Sequence, residues 1–390
     1  MKIRGVVGWR AASVVVAVGA LTAGCSSPGT TTASAKALAS DVHVTTITAS
    51  KAYTPKAPTG GTDDYHCTLI DPKVTADEMI VASQFLPGSP EVHHAILFLI
   101  PPQLASQAQA LDNGGTGWTC FGETVLPHTS LNLPFGKTSV DGHISGTPWL
   151  SGWAPGQKLV DTPTGTGELF PAGSLVVAQI HYNLLVGDQP VTPKIQLDTV
   201  PAAGSTLQPL HLTLAPAPPD IPCPATVSGP LCDRTAELAS LASRTGQSQA
   251  DFVGTLEEIC GRDPQNPPAG ATTSCIWPLR SSGYIVRVVA HMHLLGVGMK
   301  IVLNPGTPGA KTLLDMSNYD FNNQRFYDIS PPAPFAAGDK VQVTCTYNAK
   351  LGQELPLLRG VAPHFVTWGD GSSDEMCLGI VESVTNLPAP

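Results

Sequence analysis

Short apolar runs separated by turn-forming residues recur along most of this chain, and they constrain its fold more than any other feature. Each run is rich in Val, Ile and Leu and is bounded by Gly, Pro, Asn or Asp, which is the pattern of β-strands. With 38 Gly and 37 Pro among 390 residues, little of the chain is left for long helices. The pattern predicts an all-β protein of sandwiches or jelly rolls rather than a parallel α/β sheet. The runs are EMIVASQF, HHAILFLI, SLVVAQIHYNLL, PKIQLDTV, YIVRVVAHMHLL, MKIVLN and DKVQVTCTYN.

The length of the chain is typical of two domains. A break falls at VPAAG, ahead of the proline-rich segment APAPPDIPCP, so we place the domains at 51–203 and 204–390. Only one stretch, Asp233 to Ile259, has convincing helical spacing of apolar residues, with Gly246 interrupting it. Cysteines flank this stretch, which predicts a helical insertion at about residues 223–275 of the second domain. Such an insertion either covers a cleft or only decorates the surface.

The first 24 residues have a basic start and an apolar run from Ala11 to Gly24, which predicts a signal peptide. The run ends in LTAGC, which resembles a bacterial lipobox and predicts lipidation of Cys25. A lipidated protein would be held on the outer face of the bacterial cell membrane, and the alternative is a secreted periplasmic or extracellular protein. Residues 25–50 lack periodicity and predict a flexible tether.

Cysteine number and net charge both bear on function. Without Cys25, eight of the nine cysteines remain, and an even number in an exported chain predicts four disulfides. The cysteines at positions 223, 232, 260 and 275 can pair in three ways, and pairing of neighbours as Cys223–Cys232 and Cys260–Cys275 is one of them.

The net charge bears on possible partners. The chain has 21 Lys and Arg against 30 Asp and Glu and no basic stripe, so nucleic acid is not expected as a partner.

Two histidine motifs stand out as candidate metal ligands. His291 and His293 are two residues apart in a strand, so they lie on one face about 7 Å apart and can bind one ion. His93 and His94 are adjacent, so they face one ion only if their strand is bulged or twisted. His181 lies in a separate strand. The alternative for each is a structural histidine, which is the commoner role of a single HxH in a strand.

Met376, in EMC, decides which metal these ligands suggest. Imidazoles bind copper in either redox state, whereas a thioether favours Cu(I) and has no use at a zinc site. Three protein ligands leave a coordination position open, as catalysis by a metal requires. The set predicts copper, although a methionine taken alone more often fills a core.

Seven motifs in one order, from Asp63 to Val381, carry a family resemblance. They are DDYHC, VHHAILF, GWAPG, AQIHYN, HMHLLG, GDKVQVTCTYN and EMC. With them, the chain resembles the copper type II, ascorbate-dependent monooxygenases, typified by dopamine β-monooxygenase and peptidylglycine α-hydroxylating monooxygenase. The resemblance implies two tandem nine-stranded jelly-roll domains, separated by a solvent-filled cleft and holding one copper each.

The resemblance also implies a role for each candidate ligand. The first-domain copper would transfer electrons, and the second-domain copper would bind O2 and attack a substrate C–H bond. Tyr65 and Gln179 match positions near the first copper and would orient it. The implied disulfides are Cys67–Cys120 and Cys345–Cys377. The implied ligands are His93, His94 and His181 for the first copper, and His291, His293 and Met376 for the second.

One departure from the family pattern concerns the substrate. Peptidylglycine enzymes carry an Arg two residues before the HxH motif, where this chain has Val289, with Arg287 two positions further back. This disfavours peptide amidation and favours an apolar or uncharged small molecule. The electron donor would be ascorbate or another one-electron reductant.

The leading hypothesis is therefore a copper-dependent monooxygenase, anchored to the membrane by lipid, that hydroxylates a small organic substrate with O2. The alternatives are a non-catalytic copper-binding lipoprotein for copper sequestration or delivery, and a structural β-sandwich with buried histidines. The sequence leaves the oligomeric state open.

Overall fold

The computed structural model describes residues 42–56, 63–112, 114–120, 124, 126, 132–133, 136–137 and 149–387. The predicted signal peptide, Cys25 and most of the predicted tether lie outside these residues. Among the described helices, none is long and apolar enough to cross a membrane.

Strands dominate the described residues, and the helices are few and short. The strands are β1 His43–Thr48, β2 Asp63–Ile70, β3 Glu78–Leu86, β4 Val92–Ile100, β5 Trp118–Thr119, β6 Asn132–Leu133, β7 Gly136–Lys137, β8 Trp149–Trp153, β9 Val160–Asp161, β10 Thr166–Phe170, β11 Leu175–Asn183, β12 Lys194–Pro201, β13 Gln208–Pro209, β14 His211–Pro216, β15 Asp220–Ile221, β16 Thr272–Pro278, β17 Gly283–Met292, β18 Gly296–Leu303, β19 Lys311–Met316, β20 Phe326–Phe335, β21 Lys340–Tyr347, β22 Val366–Thr367 and β23 Cys377–Val384. The α-helices are α1 Ala105–Leu111, α2 Arg234–Thr245, α3 Gln247–Ile259 and α4 Leu351–Glu354, and the 3-10 turns are Pro102–Leu104, Phe321–Asn323 and Pro356–Leu358.

The first half of the described chain forms a two-sheet sandwich. One sheet has the order β1-β12-β3-β10-β13, with β9 beside β3, and the other has the order β5-β2-β11-β4-β8. Alternate residues of each strand point inward, so that Phe85 and Ile195 of one sheet meet Leu97 and Ile180 of the other. Helix α1 covers the outer face of the second sheet, where Ala108 is buried.

The second half repeats this layering. The sheet β14-β23-β17-β20 packs against the sheet β16-β21-β18-β19, and Val288 and Val381 meet Ile301 and Val343 in the core. The predicted all-β sandwich fold is confirmed. Its division into separately folding domains after residue 203 stays a prediction.

The helical stretch predicted between the cysteines is present as α2 and α3. Asp233 caps the start of α2, and Gly246 separates the helices with a positive φ of 103° that residues with a Cβ rarely adopt. Leu241, Val253 and Leu256 are buried against the outer face of the β14-β23 sheet. The helices therefore pack on the second sandwich rather than form a core of their own.

Four disulfides are present, as the even cysteine number predicts. They are Cys67–Cys120, Cys223–Cys232, Cys260–Cys275 and Cys345–Cys377. Disulfides of this number are typical of exported proteins.

One predicted boundary is wrong. The sequence predicts a tether that continues to residue 50, but His43–Thr48 forms β1 and pairs antiparallel with β12 along its whole length. Its β-branched residues favour a strand, and Ile47 is buried in the first core. The segment was missed because its single buried residue leaves almost no alternation to detect.

Candidate metal centre

A β-bulge brings the three first-half histidines together. Strand β11 pairs His181 with His94 and then Tyr182 with Val92, so His93 is the extra residue of β4. A bulge of this kind redirects a side chain that regular pleating would send to the opposite face. The Nδ1 atom of His181 lies 3.2 Å from Nδ1 of His93 and 3.2 Å from Nδ1 of His94. Three imidazole nitrogens thus converge on one point.

The ring of His181 is held on two sides. Its Nε2 donates a hydrogen bond to Oδ1 of Asp63 at 2.7 Å, which leaves Nδ1 as the lone-pair nitrogen. The ring of Tyr65 stacks on it with centroids 4.2 Å apart. Gln179, two residues before His181, contacts the Cys120 carbonyl at 3.5 Å and lines a cavity described below. Asp63 was not singled out from the sequence, although it opens the DDYHC motif.

His291 and His293 donate hydrogen bonds through Nδ1, whereas His181 donates through Nε2. Nδ1 of His291 donates to Oε1 of Gln324 at 2.8 Å, and Nδ1 of His293 donates to the carbonyl of Asp374 at 3.1 Å. The Nε2 atoms are left as acceptors. Nε2 of His293 is buried and has no hydrogen-bond partner among the described residues. A buried nitrogen without a partner is costly, and a metal ion would satisfy it.

Glu375 fixes Met376 beside these histidines. Its buried carboxylate accepts hydrogen bonds from the backbone amides of His293 at 2.9 Å, Leu295 at 2.5 Å and Met376 at 3.2 Å. Burial raises the pKa of Glu375 to about 8, and these amide hydrogen bonds oppose that rise. Cys377 then ties the start of β23 to β21 through its disulfide. Glu375 was not recognised from the sequence because its role depends on contacts with a strand about 80 residues away.

The two histidine sets are neighbours, and this corrects the expectation of a solvent-filled cleft between them. The ring centroid of His94 lies 6.1 Å from that of His291 and 6.4 Å from that of His293. The loop before Met376 joins the two halves here. Ser372 Oγ donates to Asp63 at 2.9 Å, and the Tyr65 hydroxyl donates to the carbonyl of Asp370.

Burial and crowding lower the pKa of four of these imidazoles, which favours their neutral form. Burial, with the neighbouring His181, lowers the pKa of His93 to about 3. Burial and the adjacent rings lower the pKa of His94 and of His293 well below the ordinary value. Burial also lowers the pKa of His291. Neutral imidazole is the form that binds a metal, so the donor set fits metal ions of the copper type.

A cavity of about 410 Å³ lies beside the two sets. His94, His291 and Met376 line it, together with Tyr65 and Gln179. Its volume suits a small organic molecule. Helix α3 contributes Ser248, Gln249 and Phe252, so the insertion forms part of the cavity wall instead of only decorating the surface.

We expect Asp63→Asn to weaken copper binding at the first histidine set by about 10- to 100-fold, because the amide cannot hold His181 in the same tautomer as strongly. Copper affinity, measured by competition with a chelator, tests this. Ser372→Ala removes a different contact of Asp63, its hydrogen bond from the Ser372 hydroxyl, and should change affinity much less. Equal losses in the two variants would contradict an orienting role for Asp63.

Comparisons with known proteins bear on the second half of the chain. Residues 269–382 match the family model "Copper type II ascorbate-dependent monooxygenase, C-terminal domain". The match supports this family. The matched residues include His291, His293 and Met376, and the match supports copper as the metal and oxidoreductase activity in general. The first histidine set lies outside the matched residues.

Other comparisons add no argument. No curated protein sequence matches the chain. An allantoicase structure is similar at 10% identity with a TM-score of 0.17, covering 75% of this chain and 76% of that one. The capsid protein P2 of bacteriophage PM2 is similar at 7% identity with a TM-score of 0.29, covering 88% and 97%. Allantoicase from Saccharomyces cerevisiae is similar at 8% identity with a TM-score of 0.20, covering 85% and 80%.

Proposed function

We propose that this protein is a copper-dependent monooxygenase that hydroxylates a C–H bond of a small organic substrate. The balanced reaction is RH + O2 + two electrons + two protons giving ROH + water. The electrons would come from ascorbate or another one-electron reductant. The observation that carries the proposal is the position of His94, His291 and Met376 on the wall of one cavity.

Each donor set has a distinct task in this proposal. His93, His94 and His181 would hold one copper through Nδ1, and His291 and His293 would hold the second through Nε2, with the Met376 thioether. Copper supplies one-electron redox chemistry toward O2 when it is bound. A thioether stabilises the reduced metal, which suits the second set to meeting O2.

The two sets lie close together, which supports electron transfer between them over a short distance. His94 belongs to the first set, yet it lines the same cavity as His291 and Met376. Phe321 lies against both sets, with ring centroids 4.9 Å from His93 and 6.3 Å from His293. Apolar walls exclude water from the reacting groups. The wall residues that do this include Trp153, Val289, Phe326, Trp368, Leu378 and Ile380.

We expect two coppers per chain after reconstitution and removal of loosely bound metal. His181→Ala and His291→Ala should each retain one, because each variant loses a ligand from a different set. Metal analysis beside the unaltered protein measures this. One copper in the unaltered protein, or loss of both in either variant, would contradict two separate sites.

Oxygen uptake then separates an enzyme from a protein that only binds copper. Uptake that depends on substrate and reductant and yields a hydroxylated product supports the monooxygenase. Full copper loading without such uptake across a broad screen of small molecules would favour copper sequestration or delivery. We further propose export and lipid anchoring at Cys25, with O2 and a small molecule as partners and no nucleic acid.

A further inference from the structure

One wall of the cavity is a ladder that leads from the metal ligands to charged residues. Strands β17 and β23 are adjacent and antiparallel, and alternate residues of each point to the same side. Three consecutive cross-strand pairs of this face line the cavity. In order along the ladder, the cross-strand pairs are His291–Leu378, Val289–Ile380 and Arg287–Glu382.

The guanidinium at the charged end already has partners. Nε of Arg287 donates to Oδ1 of Asp328 at 2.7 Å, and Nη1 donates to the carbonyl of Asp161 at 2.8 Å. The Cζ atom of Arg287 also lies over the ring of Phe326, 5.2 Å from the ring centroid. Arg287 is therefore already bound by other groups of the protein and is poorly placed to bind a substrate carboxylate.

The carboxyl groups at this end are less well satisfied. Oε2 of Glu382 is buried, has no hydrogen bond within the described residues and lies 3.8 Å from Nη1 of Arg287. Glu168 of β10 lines the same cavity from the other half of the chain. Burial, together with the nearby Glu382, raises the pKa of Glu168 well above its ordinary value. Burial raises the pKa of Glu382 to about 7. Arg287 is the only Lys or Arg among the described residues that line the cavity, and Asp328 and Glu382 share it.

We propose that Glu168 and Glu382 form a head-group subsite that binds the ammonium of a linear alkylamine, with the apolar chain lying along Val289 and Ile380. An ammonium supplies both the charge and the hydrogen-bond donors that two carboxylates require. The charged amine head departs from the expectation of an uncharged substrate, while the apolar body agrees with the expectation of an apolar one.

The ladder also sets the length of the ligand. Four residues of strand separate Arg287 from His291, which is roughly 13 Å. A hydrogen bond of about 3 Å at the head and an approach of about 3.5 Å at the metal end leave roughly 6.5 Å. That distance corresponds to a reactive carbon about five bonds from the nitrogen. The position of the oxidised carbon rests on the proposed function, whereas the head-group subsite does not.

Calorimetric binding of n-hexylamine to the copper-free and the copper-loaded protein tests the subsite. We expect n-hexylamine to bind at least about 10-fold more tightly than 1-hexanol, hexanoate or n-propylamine. Glu382→Gln and Glu168→Gln should each weaken n-hexylamine binding by about 10-fold or more, because each removes a charge-assisted hydrogen bond. Glu354→Gln makes the same change on exposed α4, away from the cavity, and should leave binding unchanged.

The outcomes distinguish the subsite from the proposed function. If n-hexylamine binds and both cavity variants weaken it, but no oxygen uptake follows, the subsite stands and the oxidation fails. If n-hexylamine is oxidised but neither cavity variant alters its binding, the function stands and the subsite is overturned. Absence of n-hexylamine binding, or tighter binding of hexanoate, also overturns the subsite. Thermal unfolding identifies any variant that fails to fold, and the other glutamate variant then decides.

Discussion

Met376→Leu is expected to reduce substrate oxidation to below one-hundredth of its original rate, while the copper bound by the first histidine set is retained. Leucine has nearly the volume of methionine, so the substitution removes the sulfur with little change in packing. Loss of residues that only orient a metal ligand already costs about 10- to 100-fold, and loss of the ligand itself should cost more. Oxygen uptake and copper content of the same preparation measure the two effects.

Two further substitutions separate ligation by Met376 from packing. Met316→Leu makes the same change on β19 of the second core and should leave both copper content and activity unchanged. Met376→Ala removes sulfur and volume together and should be at least as inactive as Met376→Leu. If Met376→Leu is active and Met376→Ala is not, Met376 acts by packing. Full activity in both variants would remove Met376 from the metal site.

Replacing Cys345 and Cys377 together by alanine is expected to lower the free energy of unfolding by about 4 kcal/mol. The loop that this disulfide closes spans 32 residues, and the loss of its chain-entropy contribution accounts for that magnitude. Both cysteines are fully buried, so the cavity left by the sulfur atoms adds to the loss. The variant should also lose the second copper, because Cys377 directly follows Met376. Denaturant unfolding of the copper-free protein measures the first effect.

The disulfide Cys223–Cys232 provides the matched control. It closes a loop of only 9 residues, so its double alanine variant should lose about 2.5 kcal/mol. This disulfide is far in sequence from the ligands, and both coppers should be retained. A second copper that survives in the Cys345 and Cys377 variant would show that the disulfide does not position Met376.

The strands and helices were largely predictable because their signals are local. Short apolar runs bounded by turn-forming residues mark β3, β11 and β17 without knowledge of any partner. The spacing of Leu241, Val253 and Leu256 likewise marks α2 and α3. Strand β1 was missed because its pairing with β12 stabilises it more than its own pattern predicts.

The bulge at His93 shows where local signals stop. Adjacent histidines in a regular strand face opposite sides, and nothing in VHHAILF states that β11 skips a residue opposite them. The bulge exists only as a relation between two strands, so the convergence of His93 and His94 on His181 belongs to the tertiary structure. Gln324 and Glu375 escaped notice for the same reason, since each contacts a histidine that is distant in sequence.

The sequence by itself determined the residue types that can bind copper, the strands that carry them and the even number of cysteines available for disulfides. These follow from side-chain chemistry and from short-range periodicity. Only the tertiary structure decided that the two histidine sets are neighbours and that Glu168 and Glu382 line one end of a shared cavity. The contacts that draw the halves together, such as Ser372 with Asp63, join residues 309 positions apart. No local pattern encodes such contacts, because each side chain satisfies its charge or hydrogen bond with whatever the folded chain brings beside it.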